Sequence, residues 1–149
     1  MRITLKPITK SNYWEVIELD AGENGKFVAN NAKTILESLF DNRSENTLRA
    51  VYHNKILVGL VYFYKYNNAM YINRFMIDKK FQNQGIGKMA FKKIIDFIKN
   101  NYDSKKIELS TNNPIAIHMY TQLGFEKMAN KRSDNFYKTY KETLFFLNI

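Results

Sequence analysis

Cysteine is absent from this 149-residue chain. Without a thiol there is no disulfide, no thiolate metal site and no cysteine nucleophile, and the composition fits a cytoplasmic protein. No metal is expected. Proline and glycine are scarce, at 2 and 6 residues, and no linker, repeat or low-complexity tract divides the sequence. Long apolar runs are missing too. The longest, Leu57 to Tyr64, is strand-sized and stops at Lys65, far short of a bilayer span. Met1 to Asp20 holds no continuous apolar stretch, so no secretory signal is expected. Acidic residues are outnumbered, 14 against 23 Lys and Arg, for a net charge of +9.

What is present is enough for a core. The chain is 45% hydrophobic and 15% aromatic, which excludes a disordered chain, and its length suits one domain, 1–149. Arg2 to Ile8 alternates like a strand, and Ser11 is placed to cap a helix through about Leu19. After breaks at Gly22 and Gly25, Phe27-Val28-Ala29-Asn30-Asn31 leads into a second helix, with Ile35, Leu36, Leu39 and Phe40 at helical spacing. Leu48–Tyr52 and Ile56–Tyr66 read as strands around a His53-Asn54-Lys55 turn, and Ala69–Ile77 follows the turn signal Asn67-Asn68. A helix from Ile86 to about Asn100 buries Ile86, Met89, Ala90, Ile94, Phe97 and Ile98. Ile107 and Leu109 mark a short strand. Asn113 caps a helix with Pro114 at its first position; its stripe is Ile115, Ala116, Met119, Tyr120 and Leu123, and Gly124 ends it. Strands near Phe125–Ala129 and Tyr137–Leu147 close the order β-α-α-β-β-β-α-β-α-β-β. That order predicts an α/β fold with a mixed sheet and helices on both faces.

The chemistry concentrates in Gln82-Asn83-Gln84-Gly85-Ile86-Gly87-Lys88, between a strand and a helix. First-turn amides lack partners within a helix, and its dipole favours an anion there. The spacing does not fit the nucleoside-triphosphate loop. Gly85-Ile86-Gly87-Lys88-Met89-Ala90 fits the dinucleotide fingerprint G-x-G-x-x-A, but the polar stretch Asp78–Gln84 intervenes where the strand should meet the first glycine. Gln82, Gly85 and Gly87 also fit Gln/Arg-x-x-Gly-x-Gly/Ala, the acyl-coenzyme A loop. Asn113, Ala116, Tyr120, Gly124 and Phe125 fit a second motif, Asn-x-x-Ala-x-x-x-Tyr-x-x-x-Gly-Phe. In these two segments the chain resembles the GNAT superfamily of N-acetyltransferases, clearly from about Ala69 to Phe125 and more loosely outside. Phe27–Asn31 looks like the segment opening the second helix in its diamine and spermidine acetylators.

The resemblance implies a GNAT-like, mainly antiparallel sheet and acetyl-CoA as cosubstrate. Phe75, Met76 and Ile77 would hold the pantetheine arm and help polarise the carbonyl, and Gln82 belongs to the loop motif. Gln84, Gly85, Ile86, Gly87 and Lys88 would bind the pyrophosphate, and Asn113 the coenzyme arm. Tyr120 matches the family's general acid, a phenol with a pKa near ~10 that stays protonated at neutral pH. Polyamine acetylators often carry an acidic residue where this chain has Asn73. An amide cannot take the proton, so a water chain or another carboxylate such as Glu108 is left as base. Ile107 and Leu109 point to the face opposite Glu108, which then reaches a cleft or, as preferred, faces solvent. His53 and His118 read as surface residues. Asp20 and Glu23, just before Phe27, could bind a cationic amine.

The expected activity is direct acetyl transfer in a ternary complex to a small primary amine, a polyamine among the candidates. A peptide amine and a non-catalytic coenzyme-binding module are the alternatives. Lys79, Lys80, Lys88, Lys92, Lys93, Lys99, Lys105 and Lys106 cluster round the loop and could steer a polyanionic coenzyme. No nucleic-acid module stands out, and no membrane association is expected. The apolar tail Leu144-Phe145-Phe146-Leu147 could pair with a second subunit as a homodimer.

Overall fold

The computed structural model of the chain describes residues 2–27, 29–43 and 45–149. Met1, Ser44 and Val28 of the Phe27–Asn31 segment lie outside the described residues. The strands are β1 (Ile3–Pro7), β2 (Thr47–His53), β3 (Ile56–Tyr66), β4 (Ala69–Ile77), β5 (Lys106–Thr111), β6 (Glu126–Lys127) and β7 (Thr143–Asn148). The helices are α1 (Tyr13–Glu18), α2 (Asn31–Phe40), α3 (Ile86–Asn101), α4 (Pro114–Gln122) and α5 (Lys131–Tyr140). One seven-stranded sheet has the order β1-β2-β3-β4-β5-β7-β6.

The first four strands pair antiparallel in chain order; α1 and α2 lie between β1 and β2, and tight turns join β2 to β3 and β3 to β4. Asn54 and Lys55 both take positive φ, 50° and 73°, as a two-residue hairpin needs, so His53 ends β2 and is not in the turn. The single parallel pair, β4 with β5, is joined by the α3 crossover, because parallel neighbours cannot be linked by a hairpin.

Helices pack on both faces. On one, Ile86, Ala90, Phe91, Ile94 and Ile98 of α3 lie over Val61, Phe63, Met70, Ile72, Ile107 and Leu109. Phe91 is the hub, with its ring 5.1 Å from Phe75, 4.8 Å from Tyr120 and 5.8 Å from Phe125. Truncating such a residue to alanine costs about 3–5 kcal/mol. The other face carries a smaller cluster, with Val16 and Ala21 packed on Ala50, Leu60 and Met76.

Several expectations are corrected. Asn12, not Ser11, stands at the N-cap of α1, and its side chain makes no capping bond. Leu36, Leu39 and Phe40 of α2 are exposed, and Ile35 alone of that spacing packs on the core. Ile115 is exposed as well, while Phe91, absent from the expected stripe, is fully buried. The reading of Tyr137–Leu147 as one strand merges two elements. Lys131–Tyr140 is a helix, with a capping box in which Asn130 and Ser133 satisfy each other's backbone amides. The tail strand is interior: β7 pairs with β5 along its length and with β6 at Phe145 and Phe146. The two-residue β6 covers only the middle of its outer edge.

Candidate active site

A bulge opens the sheet. Tyr62 pairs with Arg74 and Phe63 with Ile72, so Asn73 is the extra residue on β4. Bulges bend a strand and raise its twist. The β4–β5 ladder accordingly ends at Ile72–Leu109, although β4 continues to Ile77 and β5 to Thr111. Past that point the β5-facing edge of β4 has no strand beside it. A cleft of about 1530 Å³ occupies the gap and is lined by every residue from Ile72 to Ile77.

The α3 face supplies one mouth. Gly85 sits at φ +80°, a left-handed conformation that a side chain would strain. The first helical bond of α3 runs from Met89 N–H to the Gly85 carbonyl, and no side chain caps the helix. The amides of Ile86, Gly87 and Lys88 are thus left for an external acceptor. Gly87 is informative for a different reason. A Cβ there would meet nothing closer than Ile77 at 3.8 Å and Met119 at 3.9 Å. Packing therefore does not demand a glycine at 87.

Gln82 ties this loop to its surroundings. Its amide nitrogen donates to the carbonyls of Ala21 (2.9 Å) and Ile77 (2.8 Å), and its oxygen accepts from Asn24 at 3.1 Å. Asn24 accepts in turn from Asn113 at 3.3 Å, while the Asn113 oxygen caps α4 by accepting from the Ile115 amide. Both sequence roles of Asn113 are therefore compatible, since one atom caps and the residue still lines the cleft. Tyr120 also lines it. Its ring is packed against Phe91 and Phe125, and burial pushes the phenol pKa well above its ordinary value.

The opposite face supplies the second mouth. Tyr64 and Tyr66 of β3 line it with Tyr71, which lies opposite Tyr64 at 5.7 Å between rings. Asn73 donates to the Tyr64 hydroxyl at 3.1 Å and accepts from Arg74. From α5 and the turn after it come Arg132, Phe136, Tyr140 and Glu142. Burial lifts the Tyr71 phenol to about 12.

Most of the expected site residues meet in this cleft. Phe75, Met76, Ile77, Gln82, Gly85, Gly87, Lys88, Asn113 and Tyr120 line it, as do Glu23, Phe27 and Asn73. Four do not. Gln84 is exposed and donates to the Lys80 carbonyl at 3.1 Å. The Ile86 side chain is buried in the core, which leaves only its amide toward the loop. Asp20 is paired with Lys79 at 2.9 Å, and that hydrogen bond holds its carboxyl below the usual carboxylate range. Glu108 is 1% exposed and not solvent-facing. Both its oxygens accept from Arg132, at 2.8 and 3.1 Å, with Lys106 at 3.7 Å. α5 covers the face that strand alternation left open, so Glu108 is a neutralised ion pair outside the cleft lining. His118 is exposed and lines the cleft, whereas His53 is half-buried with its Nε2 unbonded, contrary to the surface reading. Of the loop lysines, Lys79 and Lys88 line the cleft. Ser110, Tyr71 and Glu142 were not anticipated. Ser110 shares a strand face with Glu108, which was the available signal.

Residues 13–125 match the acetyltransferase (GNAT) family. The chain is 27% identical over 135 residues to the spermine/spermidine N(1)-acetyltransferase of Bacillus subtilis strain 168, covering 85% of this chain and 89% of that one. Its fold is similar to that of a GNAT-family acetyltransferase from Staphylococcus aureus Mu50, with a TM-score of 0.72 at 20% identity over 99% of both chains. A GNAT-family acetyltransferase from Elizabethkingia anophelis, solved with acetyl-CoA bound, superposes with a TM-score of 0.67 at 22% identity, over 99% of this chain and 98% of that one. Among the described residues no helix is long and apolar enough to cross a membrane.

Proposed function

The chain belongs to the GNAT acetyltransferase family, and on that premise we propose that it moves acetyl from acetyl-CoA directly to a primary amine of a small molecule, a polyamine first, within one ternary complex. The observation that carries this reading is the cleft through the split sheet, with free amides at one mouth and tyrosines at the other. The polyamine preference is supported by the B. subtilis relative's name and by Glu23 at the cleft rim.

The residues present fit the coenzyme. The amides of Ile86, Gly87 and Lys88 suit a pyrophosphate, and the space left by glycine at 87 lets it approach. The unpaired edge of β4 at 73–77 offers backbone groups to an amide-bearing arm, in the manner of an added strand. Bound acetyl-CoA supplies a thioester whose carbonyl carbon forms the new bond to the amine nitrogen as its bond to sulfur breaks. Backbone N–H groups of the same edge are suited to the charge that develops on the carbonyl oxygen. Tyr120 donates its phenolic proton to the departing sulfur; burial keeps that proton in place across the working pH range. Asn73 cannot accept a proton, and Glu108 is held by Arg132; neither serves as base, and water in the cleft is the route we assign to the amine proton.

The absent strand carboxylate at Asn73 favours one second reading, a coenzyme-binding module without turnover. Tyr120→Phe separates the two. The enzyme reading expects kcat to fall roughly 100-fold with coenzyme affinity within about twofold of the parent, measured by thiol release and calorimetry. Turnover that is unaffected removes Tyr120 as the acid. A parent protein that binds coenzyme and turns over no amine favours the module.

A further inference from the structure

On the tyrosine side of the cleft the positive charges are already matched. Arg43 lies 3.6 Å from Asp41, Arg74 lies 3.4 Å from Glu37, and Arg132 lies 2.8 Å from Glu108. None of those three carboxylates lines the cleft. Glu142 does, half-buried, and makes no ion pair among the described residues. Its Oε2 accepts from the Ser110 hydroxyl at 2.9 Å, and Ser110 lies 2.8 Å from the Tyr71 hydroxyl. Serine has a single proton and spends it on Glu142, so Tyr71 must donate to Ser110. Two hydroxyls thus hold the carboxylate in one orientation, with its Oε1 free of hydrogen bonds from the described residues.

The same cleft is lined by aromatic side chains. Phe136 and Tyr140 stand 4.7 Å apart on one face of α5, and both line the cleft with Tyr71. Ring faces attract cations, and a half-buried carboxylate without a counter-ion attracts them more strongly. Arginine already covers the faces of Tyr64 and, more distantly, Tyr66, at 4.0 and 5.8 Å, which shows that a cation is compatible with this surface.

We propose that Glu142, oriented by Ser110 and Tyr71 in a cleft that Phe136 and Tyr140 also line, anchors a second, non-reacting ammonium of the acceptor. The subsite rests on the amine-acceptor reading above and makes it more specific. It selects amines that carry another positive charge along the chain, and it stands in a part of the cleft remote in sequence from Asn73.

The test compares diamines from ethane to octane with monoamines of matching length, with acetyl-CoA as donor. The parent protein is expected to prefer a diamine of at least one length by about tenfold in kcat/KM. In Glu142→Gln that preference collapses through a higher diamine KM, Glu142→Asp retains part of it, and the exposed control Glu126→Gln leaves it unchanged. Calorimetric titration of the same diamine into the coenzyme-loaded protein should weaken in parallel for Glu142→Gln. A parent that turns over amines without preferring diamines overturns the subsite and leaves the enzyme reading standing. So does a diamine preference that survives Glu142→Gln. A parent that turns over and binds no amine, while binding coenzyme, overturns the acceptor reading and the subsite with it.

Discussion

Replacing Gly87 by alanine should make the protein more stable and its coenzyme binding worse. Gly87 lies in the first turn of α3, where an added Cβ meets Ile77 at 3.8 Å and Met119 at 3.9 Å, ordinary contact distances. Removing a helical glycine gains about 0.5–1 kcal/mol, or roughly 1–4 °C in Tm for a chain of this size. On the proposed pyrophosphate site the same methyl crowds a phosphate oxygen at the Ile86–Lys88 amides. Losing one charge-assisted hydrogen bond there costs about 1.5–3 kcal/mol, a weakening of roughly 10- to 150-fold. Gly85→Ala is the counterpart. It has open space but a φ of +80°, so it should lose about 1–2 kcal/mol of stability. Thermal melts without ligand and calorimetry with coenzyme A read both effects. Gly87→Ala binding coenzyme within twofold of the parent would refute the assignment of this helix start as the pyrophosphate site.

Arg132→Ala leaves Glu108 buried with only Lys106 at 3.7 Å, and should cost about 2–4 kcal/mol in denaturant unfolding. Glu108→Gln should keep turnover within about tenfold of the parent; a loss near a thousandfold would restore it as the base. Tyr62, Tyr71 and Tyr120 all have phenols raised by burial, so their protonated forms belong to the folded state. Their contribution is fully present below the unfolded value near ~10 and is lost as pH climbs from there through about 12, the value for Tyr71. Phenolate absorbance should therefore lag behind that of the denatured chain and rise as the protein unfolds.

The central half of the fold was legible because its signals are local. Ala69–Ile77 matches β4 at both ends, since turn residues bound it on each side. The α3 start and the Asn113-Pro114 cap were readable from the glycines and from a capping asparagine before proline. The C-terminal part misled for a physical reason. Tyr137 and Tyr140 favour strands by propensity, and α5 is too polar for Phe136 and Tyr140 at helical spacing to stand out against that reading; the Asn130–Ser133 capping box was its clearest signal. That one element decides the fate of Glu108, because Arg132 arrives on it. It also carries Phe136 and Tyr140 to the cleft and leads into Glu142, so these lining residues were hidden with it. The Asn73 bulge depends on cross-strand register, which no single stretch of sequence encodes.

Acetyl-CoA turnover, followed by free-thiol release against spermidine, spermine, short diamines, amino acids and peptides, tests the central claim most directly. Preferential turnover of a polyamine or diamine is the predicted result. Tight coenzyme binding with no thiol released by any amine would contradict it.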